Sequence, residues 1–183
     1  MTRRALRVLR DESEIMQPVK PTLHLVNPAD AAEVKLRGAT PNDVEEVHTL
    51  LQGFAQQGLL LPRAVEEVYR NFREFVVAEH NGRIVGCAGL RLYSSTLGEI
   101  VGLAVSEESH GRGVGKLLIE ALLKQANELG LLQVIALTLQ AGFFYKLGFQ
   151  PAHVSQYPQK IDADCSRCAK RANCIEIAVS YEL

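Results

Sequence analysis

The chain has 183 residues, 47% of them hydrophobic, enough for one compact domain with a sizeable core. Its 20 basic and 21 acidic residues leave a net charge of −1, which argues against a general nucleic-acid or membrane surface. No apolar stretch is long enough to span a bilayer, and the basic N-terminus (Arg3, Arg4, Arg7, Arg10) lacks the apolar block of a secretory signal.

Asp11, Glu12 and Glu14 also argue against a transit peptide, since such peptides avoid acids. With no secretory signal, a structural disulfide framework among the four cysteines is not expected, and the sequence reads as cytoplasmic. Residues 1–32 show no sustained period and contain Pro18, Pro21 and Pro28. They read as a loosely ordered extension, with the domain over 33–183.

In chain order, Val34 to Arg37 predicts a first strand. Thr40-Pro41-Asn42-Asp43 is a helix start, with a capping hydroxyl, proline at the first helical position and an acid in the first turn. Val44, Val47, Leu50, Leu51 and Phe54 repeat at helical spacing, and Gln56-Gln57-Gly58 ends that helix. Val65, Val68, Tyr69 and Phe72 mark a second helix after Pro62. Phe75 to Glu79 and Ile84 to Leu92 read as strands joined by a hairpin, with Asn81-Gly82 as its signal. Glu99 to Val105 is the next strand, and Val114 to Leu129 a long amphipathic helix closed by Gly130. A buried strand over Val134 to Leu139, a short helix over Gly142 to Leu147 and a last strand over Ile175 to Tyr181 complete the order. The mixture is α/β, an antiparallel meander followed by a strand–helix–strand crossover.

Between the Glu99 strand and the long helix lies His110-Gly111-Arg112-Gly113-Val114-Gly115. Glycines allow close approach to main-chain N–H groups, and a helix start offers unpaired donors at the positive end of its dipole. Such a terminus suits phosphate. There is no Gly-Lys-Ser/Thr for a triphosphate loop, and the glycine spacing is not the dinucleotide fingerprint.

The loop resembles the pyrophosphate loop of the GNAT acetyltransferases, Gln/Arg-x-x-Gly-x-Gly/Ala after a strand and at the head of a helix. His110 stands where Gln or Arg is usual. The resemblance implies the GNAT fold, a mixed central sheet with flanking helices, over 33–183. Further stretches resemble the N-acetylglutamate synthases of arginine biosynthesis. They are Leu60-Leu61-Pro62-Arg63, Phe75-Val76-Val77, Gly86-Cys87-Ala88-Gly89-Leu90, Gly98-Glu99-Ile100, Leu103-Ala104-Val105, Leu137-Thr138, Phe143-Phe144 and Gly148-Phe149. The tail, Pro158-x-Lys160 with Cys165-x-x-Cys168 and Cys174-x-Glu176, looks like the short forms of that branch. Long members carry an arginine-sensing kinase domain, and this chain is too short to hold one.

By resemblance the reaction joins acetyl-CoA and L-glutamate, and Glu99 is the base that frees the amine, where a solvated carboxylate at a strand end is the alternative. The main chain of Leu103, Ala104 and Val105 is expected to pair with pantetheine and polarise the thioester, whether or not the side chains are core. His110, Gly111, Arg112, Gly113, Val114, Gly115 and Lys116 are expected to hold the pyrophosphate. Arg63 matches the family's carboxylate anchor, since arginine binds carboxylates through paired hydrogen bonds. The family often follows it with serine, where Ala64 stands here, and long members use an arginine and a serine about where Asn173 and Ile175 stand. Lys160 is the replacement candidate for the second anchor.

Thr138 matches a hydroxyl position that orients substrate or returns a proton to the CoA thiolate, and it also suits a β-strand on its own account. Many GNAT enzymes place an acidic tyrosine five residues before the Phe of Gly-Phe. That position is Phe144, and Tyr145 is turned about 100° around the helix. Cys165, Cys168 and Cys174 can bind a structural zinc with a fourth ligand such as His153, or belong to packing or a surface loop. No metal is expected for the reaction. Partners expected are a small-molecule substrate and, because dimers are common in the fold, a second copy of the chain.

Overall fold

The computed structural model describes residues 34–183. The expected extension over 1–32 lies outside the described residues. Seven strands, β1 (Lys35–Gly38), β2 (Phe75–His80), β3 (Arg83–Leu92), β4 (Leu97–Val105), β5 (Gln133–Thr138), β6 (Gln150–Ala152) and β7 (Ile177–Glu182), make one sheet. Its order is β1-β2-β3-β4-β5-β7-β6, and only β4 and β5 run parallel. The helices are α1 (Val44–Gln56), α2 (Val65–Asn71), α3 (Val114–Glu128), α4 (Ala141–Tyr145) and α5 (Pro158–Ala163). The expected α/β mixture and its meander-then-crossover order are borne out.

Strand alternation sorts the apolar residues onto two faces. On one face, α3 presents Val114, Leu118, Ile119, Leu122 and Ala126 to Ala88, Leu90, Ile100, Val134, Ala136 and Val179. On the other, Val44, Val47 and Leu51 of α1 and Val68 of α2 cover Val77, Cys87 and Ala104. A third cluster, Leu97, Ile135 and Tyr157, continues that second face toward α5. The start of α1 is fastened by Asp43, which accepts hydrogen bonds from the Thr40 N–H and hydroxyl and pairs with Arg37 at 2.7 Å. Asn81 and Gly82 both take positive φ in the β2–β3 turn, as the hairpin requires.

Two irregularities of β4 set up the site. Its ladder with β5 covers only Leu97, Gly98 and Glu99 against Gln133, Val134 and Ile135. Both strands continue, but the ladder between them stops there. Beyond Glu99 the facing main-chain groups are left to other partners. The second irregularity is a bulge. Cys87 pairs with Ala104 while Gly89 pairs with Val101, so β4 holds one extra residue. Gly102 sits in it at φ 60°, a left-handed conformation that suits glycine. The bulge turns Leu103 and Val105 toward the α3 face and Ala104 toward the α1 face.

Several boundaries differ from expectation. β4 begins at Leu97 because Tyr93 N–H donates to the Leu97 carbonyl across a tight hairpin, at 2.9 Å. The short helix α4 covers Ala141–Tyr145 rather than 142–147. β7 begins at Ile177, since Ile175 is 77% exposed and unpaired in the ladder. β6 and α5 were not anticipated. Three residues including Pro151 show no period, and α5 has fewer than two full turns.

Candidate active site

Glu99 is the last β4 residue laddered to β5, and its paired neighbour across β3 is Arg91. Its side chain is 3% exposed. Oε2 accepts hydrogen bonds from the Tyr93 hydroxyl and from Lys160 Nζ, the latter at 2.8 Å. Among the described residues, Oε1 accepts none. Lys160 comes from α5 and also donates to Asp164 Oδ2 at 2.9 Å, one helical turn on. The Tyr93 hydroxyl contacts that same Asp164 oxygen. A phenol has one proton to donate, so it serves one carboxylate at a time. Arg91 lies 3.8 Å from Asp164 and pairs with Glu74 at 3.2 Å.

Electrostatics follow from this packing. Burial pushes the Lys160 ammonium down, but Glu99 and Asp164 together outweigh it and hold the lysine above its ordinary value. Burial pushes the Asp164 carboxyl up, yet hydrogen bonds from Tyr93 and Lys160 prevail and keep it below the usual range. Tyr93 is driven far above an ordinary phenol, by burial first and then by the two carboxylates, so it stays a neutral hydroxyl.

At the far end of β4, Ser109, His110 and Gly111 turn the chain into α3. The His110 ring donates from Nε2 to the Val105 carbonyl at 2.7 Å, tying the loop to the strand end. Gly113 caps the helix at φ 79°. Leu117 is the first α3 residue whose N–H finds an acceptor, the Gly113 carbonyl at 3.0 Å. The N–H groups of Val114, Gly115 and Lys116 precede it, and the first turn holds no acid. A Cβ at Gly111 or Gly113 would meet nothing within 4 Å, so the loop faces open space. Ser106 Oγ, beside it, is buried without a partner among the described residues. A cleft of about 430 Å³ runs along α3, lined by Lys116, Glu120, Phe143, Lys146 and Leu147 among others. An extended ligand with an anionic group fits this arrangement, with main-chain donors in the β4–β5 gap for its body and the helix start for its charge.

The other expected residues are distributed around this axis. Arg63 precedes α2; its Nη1 pairs with Glu67 at 3.2 Å, and its charge reaches Cys87 on the α1 face. Glu99 belongs to the same face, since a Cβ placed on Gly89 would meet both Val101, two residues on from Glu99, at 3.1 Å and Phe75 of the α1 cluster at 3.6 Å. Thr138 ends β5, and its hydroxyl oxygen accepts from the Gln140 N–H at 2.9 Å, leaving its own proton to donate. Phe144 is buried between Phe143 and Phe149, edge to face with both, while Tyr145 is 40% exposed. Cys165, Cys168 and Cys174 are free thiols, and among the described residues no group of three or more His, Cys, Asp or Glu side chains is placed to hold a metal ion. Lys160, expected as a substrate anchor, is brought directly to Glu99. Tyr93 and Asp164 were missed. Tyr93 stands two residues after Arg91, the register partner of Glu99, and Asp164 is four residues after Lys160, so the strand and helix spacings carried a signal for each.

Residues 44–149 match the acetyltransferase (GNAT) family. Over 149 residues the chain is 38% identical to an uncharacterized N-acetyltransferase of Chlorobaculum tepidum, covering 81% of this chain and 96% of that protein. It is 36% identical over 125 residues to the amino-acid acetyltransferase of Mycobacterium tuberculosis, covering 67% and 71%. Against the amino-acid acetyltransferase of Neisseria meningitidis it is 32% identical over 133 residues, 72% of this chain but only 30% of that protein's length. Among solved structures, the N-acetylglutamate synthase of Neisseria gonorrhoeae, complexed with coenzyme A and N-acetyl-glutamate, superposes with a TM-score of 0.75 at 28% identity, covering 82% of this chain and 35% of that one. A Mycobacterium tuberculosis protein in complex with CoA gives a TM-score of 0.72 at 27% identity, covering 81% and 99%. Among the described residues no helix is long and apolar enough to cross a membrane. The chain belongs to the acetyltransferase (GNAT) family and is an N-acetyltransferase that draws its acyl group from acetyl-CoA.

Proposed function

We propose that this chain acetylates the α-amine of L-glutamate to give N-acetyl-L-glutamate, the first step of arginine biosynthesis, with Glu99 as general base. The observation that carries the reading is the placement of Glu99: buried, on the last rung before β4 and β5 separate, with Oε1 accepting no bond among the described residues. At neutral pH an amino acid's amine is protonated, and a carboxylate beside it removes the proton that blocks attack. Acetyl-CoA supplies an acyl group already activated as a thioester. Main-chain donors of Leu103, Ala104 and Val105 hold its pantetheine arm and polarise the carbonyl, and the loop from His110 to Lys116 holds its phosphates. Thr138, whose hydroxyl proton is uncommitted, orients the amine or returns a proton to the leaving thiolate.

Arg63 keeps guanidinium donors beyond the one directed at Glu67 and anchors a substrate carboxylate. Lys160 directs two of three protons to Glu99 and Asp164 and keeps one for the second carboxylate. The named relatives support this reading, as do the Neisseria gonorrhoeae structure and its bound N-acetyl-glutamate. A second reading, acetylation of another amine or amino acid, is favoured by one observation: Asn173 and an exposed Ile175 stand where long members carry the further anchor.

A panel of amino acids read by CoA release decides between them. Glutamate leads by a wide margin on the first reading, and equal rates with amino acids that lack a second carboxylate overturn it. The Glu99→Gln variant should lose turnover while still binding acetyl-CoA by calorimetry. A chain with no turnover to lose would be a binding module.

A further inference from the structure

An amine that enters as an ammonium and leaves as an amide releases one proton per turnover, beyond the one that goes to the CoA thiolate. The Glu99 carboxylate that collects it is 3% exposed, so the proton needs a way out. Two groups join that carboxylate to the more exposed Asp164, the Lys160 ammonium and the Tyr93 hydroxyl, and of these the phenol is the neutral one, able to take a proton on one side as it gives one on the other. The Tyr93 hydroxyl contacts Glu99 Oε2 on one side and Asp164 Oδ2 on the other, and the Asp164 side chain is 34% exposed. We propose that Tyr93 and Asp164 form the path by which the proton taken up by Glu99 reaches solvent. The inference rests on Glu99 being the base.

The steps balance without any further reactant. The substrate ammonium gives a proton to Glu99, whose Oε1 is open among the described residues. Rotation of the carboxyl turns that proton toward Tyr93. The Glu99 O–H bond breaks as a new O–H bond forms on the phenol oxygen, and the phenol's original proton moves to Asp164 Oδ2. Asp164 then yields it to water, and Glu99, Tyr93 and Asp164 return to their starting states. The phenol is neutral before and after each transfer, in keeping with surroundings that strongly disfavour phenolate. Lys160 touches both carboxylates and supplies a fixed positive charge midway along the path. Asp164 is held below the usual carboxylate range, so it releases the proton readily. Tyr93 and Asp164 act through Glu99 and are positioning residues for proton transfer.

The test measures steady-state acetylation of the best amino acid for wild type, Glu99→Gln, Tyr93→Phe, Asp164→Asn and Asp164→Ala. Imidazole is varied at constant pH and ionic strength. Loss of a positioned proton carrier should lower kcat about 10- to 100-fold in Tyr93→Phe and Asp164→Asn, with acetyl-CoA affinity by calorimetry unchanged. In Asp164→Ala, kcat should rise with imidazole concentration, while wild type is indifferent to it. The solvent deuterium isotope effect on kcat should grow in both conservative variants. A merely structural role moves KM or stability and gives no buffer dependence. Wild-type kcat in both conservative variants overturns the relay, as does a loss that imidazole does not restore. If Glu99→Gln loses turnover while Tyr93→Phe and Asp164→Asn keep it, the relay alone is wrong. If Glu99→Gln keeps turnover, the assignment of the base falls and the relay falls with it. Should Tyr93→Phe fail to fold, the two Asp164 variants decide.

Discussion

Replacing Lys160 by methionine keeps the apolar stem and removes the charge. In the folded chain its ammonium lies 2.8 Å from Glu99 and 2.9 Å from Asp164, with its side chain 11% exposed. Removing one partner from a buried pair costs about 3–5 kcal/mol, because the remaining charge has no compensation. Asp164 is one-third open to water, which screens its share, so about 3 kcal/mol is expected. For a chain of this length that corresponds to a fall in Tm of roughly 6–12 °C. The pH dependence has a definite sign. Lys160 is held above its ordinary value, so its contribution is complete below the unfolded lysine's pKa, about 10.4, and is lost only as pH rises through the folded value. Asp164 is held below its own, so its contribution is present above about pH 3.9 and is lost on acidification. At pH 8 both are present. In Lys160→Met two carboxylates share Tyr93 with only Arg91, 3.8 Å from Asp164, as a nearby cation, and acidification relieves them by protonating one. Thermal unfolding followed by circular dichroism should therefore show a larger loss at pH 8 than at pH 5. An unchanged Tm at pH 8, or the larger loss at pH 5, would refute the account.

Asp43→Asn should cost about 1.5–3 kcal/mol near neutrality, as expected for charge-assisted bonds to Arg37 and Thr40. The Arg37 guanidinium holds the Asp43 carboxyl far below its usual range, so wild type and variant should converge in urea unfolding as pH falls below about 3.9; a gap that widens in acid would be the wrong sign. Gly102→Ala meets a left-handed backbone, worth about 1–2 kcal/mol, and its Cβ would stand 3.2 Å from Phe75 and 3.3 Å from Leu51. Tm and acetyl-CoA affinity should both drop, and wild-type affinity would show that the bulge does not set the binding edge. Iodoacetamide on the native protein should label exposed Cys174 ahead of Cys165 and Cys168, and leave Cys87 untouched, because burial pushes that thiol up to about 12. Native labelling of Cys87 would contradict its packing between α1 and the sheet.

What the sequence made legible was local. The spacing Val44, Val47, Leu51 predicts the buried stripe of α1, and those three side chains are buried. Asn81-Gly82 predicts a hairpin whose two residues do take positive φ. The glycines after His110 predict a loop into a helix with open N–H groups, and α3 begins there. What was illegible was long-range or short. Lys160 and Glu99 are 61 positions apart, and no period links a helix residue to the strand it packs on. β6 and α5 are too brief for periodicity to register. His110 shows a third kind of gap. Its departure from the family's loop is plain in the sequence, but only the fold shows its ring tied to Val105. Arg63 is present as the family pattern requires, yet its bond to Glu67 is a helix contact that the motif does not announce.

The family match ends at Phe149, but two of the three side chains that close around Glu99 do not come from within it. Tyr93 lies on the hairpin before β4, while Lys160 and Asp164 belong to the segment after β6. The division has a physical basis. Gripping a thioester requires main-chain donors at the edge of a strand and a helix start, and these follow from backbone geometry that many sequences can adopt. Closing over a buried carboxylate requires particular charges at particular distances, and a ladder of backbone bonds cannot supply them. If Glu99 is the base, as proposed, choice of amine falls to the segment from Tyr157 to Asp164, which packs on Leu97 and Ile135 and brings an ammonium to the edge of the gap. Exchanging that segment between GNAT chains should move amine preference with it and leave acetyl-CoA affinity in place. A preference that stays behind with β4 and Arg63 would assign selectivity to the α1 side instead.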